Sequence, residues 1–199
     1  LFNLDTPAHF IVGNGEHEVL AVLAGIDTGR VPEPFQETIL WVGRELSVEH
    51  EQLLGEWPKT VRLGIHGLGD VLFCHATPRD DNAVFTRLTP EERLLPVFEP
   101  VDAAVVICGH THMQFDRAIG RHRVVNAGSI GAPWGTPGAY WLLLGPDVEL
   151  RYTAYDLASA AARIRATEYP LEDEFGAGWV LQPPSAAEML DVYERAALR

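Results

Sequence analysis

The segment Cys108-Gly109-His110-Thr111-His112 is the one best suited to chemistry. It ends the apolar run Ala103–Cys108. In an extended chain residues i and i+2 point the same way, so two imidazoles would leave a strand end together. A neutral imidazole carries a lone pair and is the commonest protein ligand for transition metals. The glycine ahead of the pair allows a sharp turn and leaves room for a ligand. The same residues also suit a polar loop with solvated histidines. Their position at a strand end counts against that, because functional groups of α/β folds gather there.

Three further segments have the same design. His75 follows the apolar run Val71-Leu72-Phe73-Cys74 and precedes the loop Ala76-Thr77-Pro78-Arg79-Asp80; by itself it suits a hydrogen-bonded structural histidine. Asn14 follows Phe10-Ile11-Val12-Gly13 and opens a helical stretch. There asparagine is either a helix cap or, through its amide oxygen, a neutral metal ligand or phosphate contact. Asn126-Ala127-Gly128-Ser129-Ile130-Gly131 is a fourth loop after a strand, with glycines that permit close backbone approach.

The elements that must hold these residues follow from periodicity. His9–Val12 predicts a short strand, Glu16–Ala24 and Phe35–Leu46 predict helices, and Ser47 caps a third helix over Val48–Glu56. Thr60–Ile65 and Val71–Cys74 read as a hairpin around His66–Asp70. Thr89-Pro90-Glu91-Glu92 predicts a capping box opening a helix to about Phe98. Ala103–Cys108 predicts a strand buried on both faces. Phe115–Ile119 should pair with His122–Val125, and Ala139–Leu144 with Val148–Tyr155. Two helices, about Leu157–Thr167 and Ser185–Leu198, close the chain. The sum is a layered α/β sandwich.

The chain has 199 residues, 47% hydrophobic and 22% charged, which fits one globular domain rather than two. We expect a single domain over residues 1–199 with a helical extension over about 156–199. No apolar run approaches the roughly 20 residues a membrane helix needs. Fifteen Lys and Arg against 28 Asp and Glu give a net charge of −13, which disfavours any long track of nucleic-acid phosphates. A small phosphorylated substrate stays compatible, since a metal reverses the local field. Cys74 and Cys108 both end apolar runs, which suits buried free thiols in the cytoplasm. The sequence opens on Leu1 without a secretory signal pattern, and we expect it to be the C-terminal part of something longer.

Taken together, Gly13-Asn14, His75, Gly109-His110-Thr111-His112 and Asn126–Gly131, in this order and spacing, resemble the calcineurin-like metallophosphoesterase family, especially its small bacterial phosphodiesterase-type members. The similarity runs from about His9 to Tyr155. It implies a β-sandwich flanked by helices and a phosphoesterase, in the first instance a phosphodiesterase, that uses hydroxide activated by two metals. It also implies that Asn14, His75 and His110 bind one divalent ion and that His112 contributes to a second. Such a pair polarises phosphoryl oxygens and supplies hydroxide near neutral pH. Mixed oxygen and nitrogen ligands suit Mn, Fe or Zn alike.

Two departures qualify the resemblance. The family's Asp-x-His and its later Gly-Asp are expected before residue 1. No Asp-x-His occurs here, and the one Gly-Asp, Gly69-Asp70, falls in a hairpin turn. Where many members carry a histidine after the asparagine, thought to protonate the leaving group, this chain has Gly15, followed by Glu16. His17, in the first helical turn, reads as exposed. Arg79 and Asp80 read as a solvated turn; His9, His50, His66 and His122 as structural or exposed; Trp41, Trp57, Trp134, Trp141 and Trp179 as packing residues. The competing class is a binding scaffold that keeps this fold without its chemistry.

Overall fold

The computed structural model describes residues 5–198; the expectation attached to Leu1 lies outside them. The first helices are α1 (Asn14–Leu23), α2 (Glu33–Glu45) and α3 (Val48–Glu56). α1 packs against α2 and α3. Ser47 caps α3 as its side chain predicts, its hydroxyl accepting from the His50 amide at 3.3 Å.

The central sheet contains β1 (Thr60–Ile65), β2 (Gly69–Cys74), β3 (Val105–Cys108), β4 (Phe115–Ile119) and β5 (His122–Asn126), in the order β1-β2-β3-β5-β4. β1–β2 and β4–β5 are the two antiparallel hairpins expected. The three inner strands β2, β3 and β5 run parallel, with Phe73 opposite Ile107 and Cys108 opposite Asn126. Their C-terminal ends therefore finish level, on one edge. That register gathers the site.

Side-chain alternation splits the core into two layers. Leu72, Cys74, Val106, Cys108 and Val124 face Phe85 and the helix α4 (Glu91–Phe98), whose Leu94 and Phe98 are fully buried. Val71, Val105, Ile107 and Val125 face the hairpin β6 (Ala139–Leu144) and β7 (Val148–Thr153), through Leu142, Leu144 and Val148. All four residues of β3 are buried, as expected for a strand covered on both sides. Each large side chain so buried contributes about 1.5–3 kcal/mol. The result is a mixed α/β fold in which a central sheet is flanked by helices and backed by a second, smaller sheet.

After β7 come α5 (Leu157–Arg165), a π-helical turn over Glu172–Gly176, α6 (Ala177–Leu181) and α7 (Ala186–Ala196). Glu194 of α7 accepts hydrogen bonds from the Thr86 and Thr89 hydroxyls at 2.6 and 2.9 Å. Three expectations need correction. Between the two closing helices expected, the chain adds the π-helical turn and α6. His9–Val12 forms no strand: it lacks a ladder partner, and the Val12 amide instead donates to the Pro58 carbonyl at 3.0 Å while Phe10 stacks on Trp57. Thr89 does not cap α4, because Glu194 and the Thr86 amide recruit its hydroxyl. Among the described residues no helix is long and apolar enough to cross a membrane.

Candidate metal centre

The three level strand ends and the start of α1 converge. β2 ends at Cys74 and delivers His75. β3 ends at Cys108 and delivers Gly109–His112. β5 ends on Asn126 itself. Gly13 is the residue that precedes the first helical turn of α1, and its amide is satisfied by the Glu16 carboxylate at 2.8 Å. Asn14 is thereby released from capping. Its Oδ1 instead lies 2.8 Å from His75 Nε2, and His75 Nε2 lies 3.2 Å from His110 Nδ1. The two imidazole rings meet edge to face with centroids 5.1 Å apart.

His110 and His112 are not extended, contrary to the strand-end expectation. Their φ angles are 66° and 59°, in the left-handed region. The cause is a tight turn: the Thr111 amide donates back to the Gly109 carbonyl at 2.8 Å, two residues away. Non-glycine residues held this way typically cost about 1–3 kcal/mol each and persist only where surrounding contacts fix them. Here Asn126 does much of the fixing. Its buried side-chain amide donates to the Gly109 carbonyl at 2.5 Å and to Thr111 Oγ1 at 3.1 Å, and its oxygen accepts from the Gly128 amide at 2.8 Å. The strain of the turn sends the two imidazoles apart: His110 toward His75, His112 toward Ala132 and Trp134.

Burial keeps all three imidazoles neutral. His110 is pushed down to about 4, chiefly by desolvation and then by the neighbouring His75 and His112 rings, with the Asn82 backbone and Asp81 opposing. His75 is lowered by burial and by His112, again against Asp81. His112 is lowered by burial against its hydrogen bond to Ala132. That bond also sets its tautomer. Nδ1–H donates to the Ala132 carbonyl at 2.7 Å, which leaves the Nε2 lone pair free.

The donor set fits a divalent cation. Asn14 Oδ1 and His110 Nδ1 both approach His75 Nε2, yet that nitrogen brings at most one proton to the two contacts. A cation in the proton's place would be held by lone pairs from all three. Ligands about 2.1 Å from one ion, at angles of about 90–110°, lie about 3.0–3.4 Å apart, close to the observed 2.8 and 3.2 Å. Because the imidazoles favour the neutral form, ligation needs no net loss of an imidazolium proton, only that the His75 ring proton sit on Nδ1 instead of Nε2. Among the described residues no group of three His, Cys, Asp or Glu side chains could hold an ion; here the carboxamide is the third donor, and His112 stands beside the set.

Residues 2–145 match the calcineurin-like phosphoesterase superfamily domain. The chain belongs to that superfamily. Two solved structures share the fold. One is a hypothetical protein from Pyrococcus horikoshii OT3, at 17% identity and a TM-score of 0.69, covering 86% of this chain and 74% of that one. The other is a metallophosphoesterase from Sphaerobacter thermophilus, at 19% identity and a TM-score of 0.62, covering 84% and 76%. No curated protein sequence matches this chain.

In this member of the superfamily two features escaped the sequence. His17 is half exposed but not free: its Nδ1 lies 2.8 Å from Asp81 Oδ2, across 64 positions of sequence. Asp81 is also the carboxylate that acts on His75 and His110, and Arg30 approaches it at 3.4 Å. Trp134, expected only to pack, stacks on His112 with ring centroids 5.3 Å apart. Both contacts are long-range, so no local pattern announces them. Arg79 and Asp80 lie in an exposed turn and His122 is a buried structural residue bonded to the Ala103 carbonyl, as expected.

Proposed function

We propose that this chain is a metal-dependent phosphoesterase that hydrolyses a small phosphodiester, with Asn14, His75 and His110 holding one divalent ion and His112 contributing to a second. What supports the reading most is the contact of Asn14 Oδ1 and His110 Nδ1 with a single nitrogen of His75, at 2.8 and 3.2 Å. Membership of the superfamily supports phosphoester hydrolysis as the reaction class.

Bound Mn, Fe or Zn ions would neutralise phosphoryl charge and make water nucleophilic near neutral pH. The chain's own residues do the rest. Burial keeps His75, His110 and His112 in the neutral form that can ligate. The Gly109–Thr111 turn and Asn126 hold two of them in place. Gly15 brings no proton donor beside Asn14, and a side chain there would meet nothing within 4 Å. The leaving group must therefore depart with little protonation from that position. The free thiols Cys74 and Cys108, both buried, suit the cytoplasm as its setting.

A second reading is a binding scaffold on the same fold. The vacant position at Gly15 favours it. The two are separated by loading the protein with Mn²⁺, Zn²⁺ or Fe²⁺, measuring bound metal, and assaying bis-p-nitrophenyl phosphate with wild type and His110→Ala. The enzyme reading expects bound metal and hydrolysis in wild type, with activity at least about 100-fold lower in the variant. Wild type that binds no metal and hydrolyses nothing supports the scaffold.

A further inference from the structure

Trp134 lies outside every motif that suggested the site, yet it touches the strained turn twice. Its indole Nε1–H donates to the Thr111 carbonyl at 3.0 Å, the peptide oxygen between the two left-handed histidines. Its ring face stacks on His112, with 20° between planes. Ala132, whose carbonyl accepts from His112 Nδ1–H, is two residues away on the same loop. One short segment thus grips His112 from three directions: its backbone neighbour, its ring face and its ring nitrogen.

Trp134 is itself buried and fixed from behind. Trp179 of α6 meets it edge to face at 5.0 Å, and Tyr193 of α7 lies 6.4 Å away. Leu190 of α7 completes the cluster with Met113. The Gly135 amide donates to the Pro184 carbonyl at 2.8 Å, tying the loop to the segment that leads into α7. The C-terminal helices thus support the back of the His112 loop.

We propose that Trp134 is a positioning residue for His112: it holds the ring where Nδ1–H reaches the Ala132 carbonyl, the bond that fixes the tautomer, with Nε2 directed away from Ala132, and α6 and α7 hold Trp134. A left-handed residue does not keep this geometry unaided, and the indole bond to Thr111 with the stack on His112 supplies the restraint. The inference takes from the proposed function only that His112 is a metal ligand. Groups that orient a ligand in this way typically govern metal affinity by about 10–100-fold.

The test uses Trp134→Phe, which keeps a stacking ring and loses the N–H, Trp134→Ala, which loses both, and Phe98→Leu as a core-destabilised control in the separate cluster beneath α4. Two quantities are read: the ring-nitrogen NMR signals of His112 in metal-free protein, and Mn²⁺ and Zn²⁺ binding by calorimetry. The expected result is a fixed Nδ1–H tautomer in wild type and Phe98→Leu, and mixed or exchange-broadened signals in Trp134→Ala. Trp134→Phe falls between. Metal affinity should drop about tenfold or more in Trp134→Ala and stay near wild type in Phe98→Leu despite its lower melting temperature. Unchanged His112 signals in both Trp134 variants overturn the inference, as does altered tautomer with unaltered metal affinity. If wild type binds neither ion but the tautomer still depends on Trp134, the positioning stands and the metal reading is what fails.

Discussion

Gly13 and Gly15 are two residues apart at the start of α1, and the structure assigns opposite outcomes to giving each a methyl group. At Gly13 a Cβ would sit 2.7 Å from His75 Nδ1, 2.9 Å from its Cε1 and 3.0 Å from Glu16 Oε2. Carbon and nitrogen atoms rest about 3.5–4 Å apart, so the ring must retreat by close to an ångström. It cannot retreat freely, because Asn14 and His110 engage its other nitrogen. The backbone is not the obstacle: φ at Gly13 is −105°, open to alanine. Overpacking of this kind typically costs about 1–3 kcal/mol, or about 2–12 °C in melting temperature at this chain length. At Gly15 a methyl meets nothing within 4 Å, and Gly→Ala at a compatible helical position typically stabilises by about 0.4–1 kcal/mol. Thermal melts of Gly13→Ala and Gly15→Ala, with Mn²⁺ calorimetry on both, check this. Gly13→Ala should melt lower and bind metal more weakly; Gly15→Ala should melt a little higher with affinity unchanged. Gly13→Ala matching wild type in both assays would refute the idea that a glycine is needed there to admit His75.

Three further outcomes follow from the same geometry. In metal-free protein the unfolded chain takes up a proton on His110 between pH 6.5 and about 4 that the native state refuses, so stability should fall as pH drops through that window and the slope from this group should end below it. The gap corresponds to about 3 kcal/mol; urea melts in EDTA at several pH values measure it, and a slope no shallower in His110→Gln would show that another group is responsible. With no donor at Gly15, aryl phosphodiesters should be cleaved well and simple alkyl ones poorly, and equal rates on the two would count against that. Asn126→Ala removes the amide that holds Gly109 and Thr111 and leaves buried groups unpaired; a loss of about 2–4 kcal/mol in denaturant melts is expected, and a loss under 1 kcal/mol would show the turn stands without it.

The strands were legible because alternation and flanking glycines mark them, and the ligand candidates because three of them terminate or follow apolar runs. His9–Val12 misled for the same reason: apolarity predicts a strand, but a strand needs a partner, and periodicity does not report one. Thr89 carried a capping signal that a residue 105 positions away overrode. The directions of His110 and His112 were illegible because they depend on left-handed φ angles imposed by Asn126 and Trp134, neither of which is adjacent in sequence. The bond of His17 to Asp81 likewise rests on the packing of α1 against the loop after β2, not on spacing. Residue type located the chemistry; tertiary contacts aimed it.

Diffraction from crystals soaked in Mn²⁺, collected where manganese scatters anomalously, tests the central claim most directly. The account predicts a peak about 2.0–2.3 Å from Asn14 Oδ1, His75 Nε2 and His110 Nδ1. Manganese bound elsewhere, with those three atoms still bonded only to one another, would contradict it.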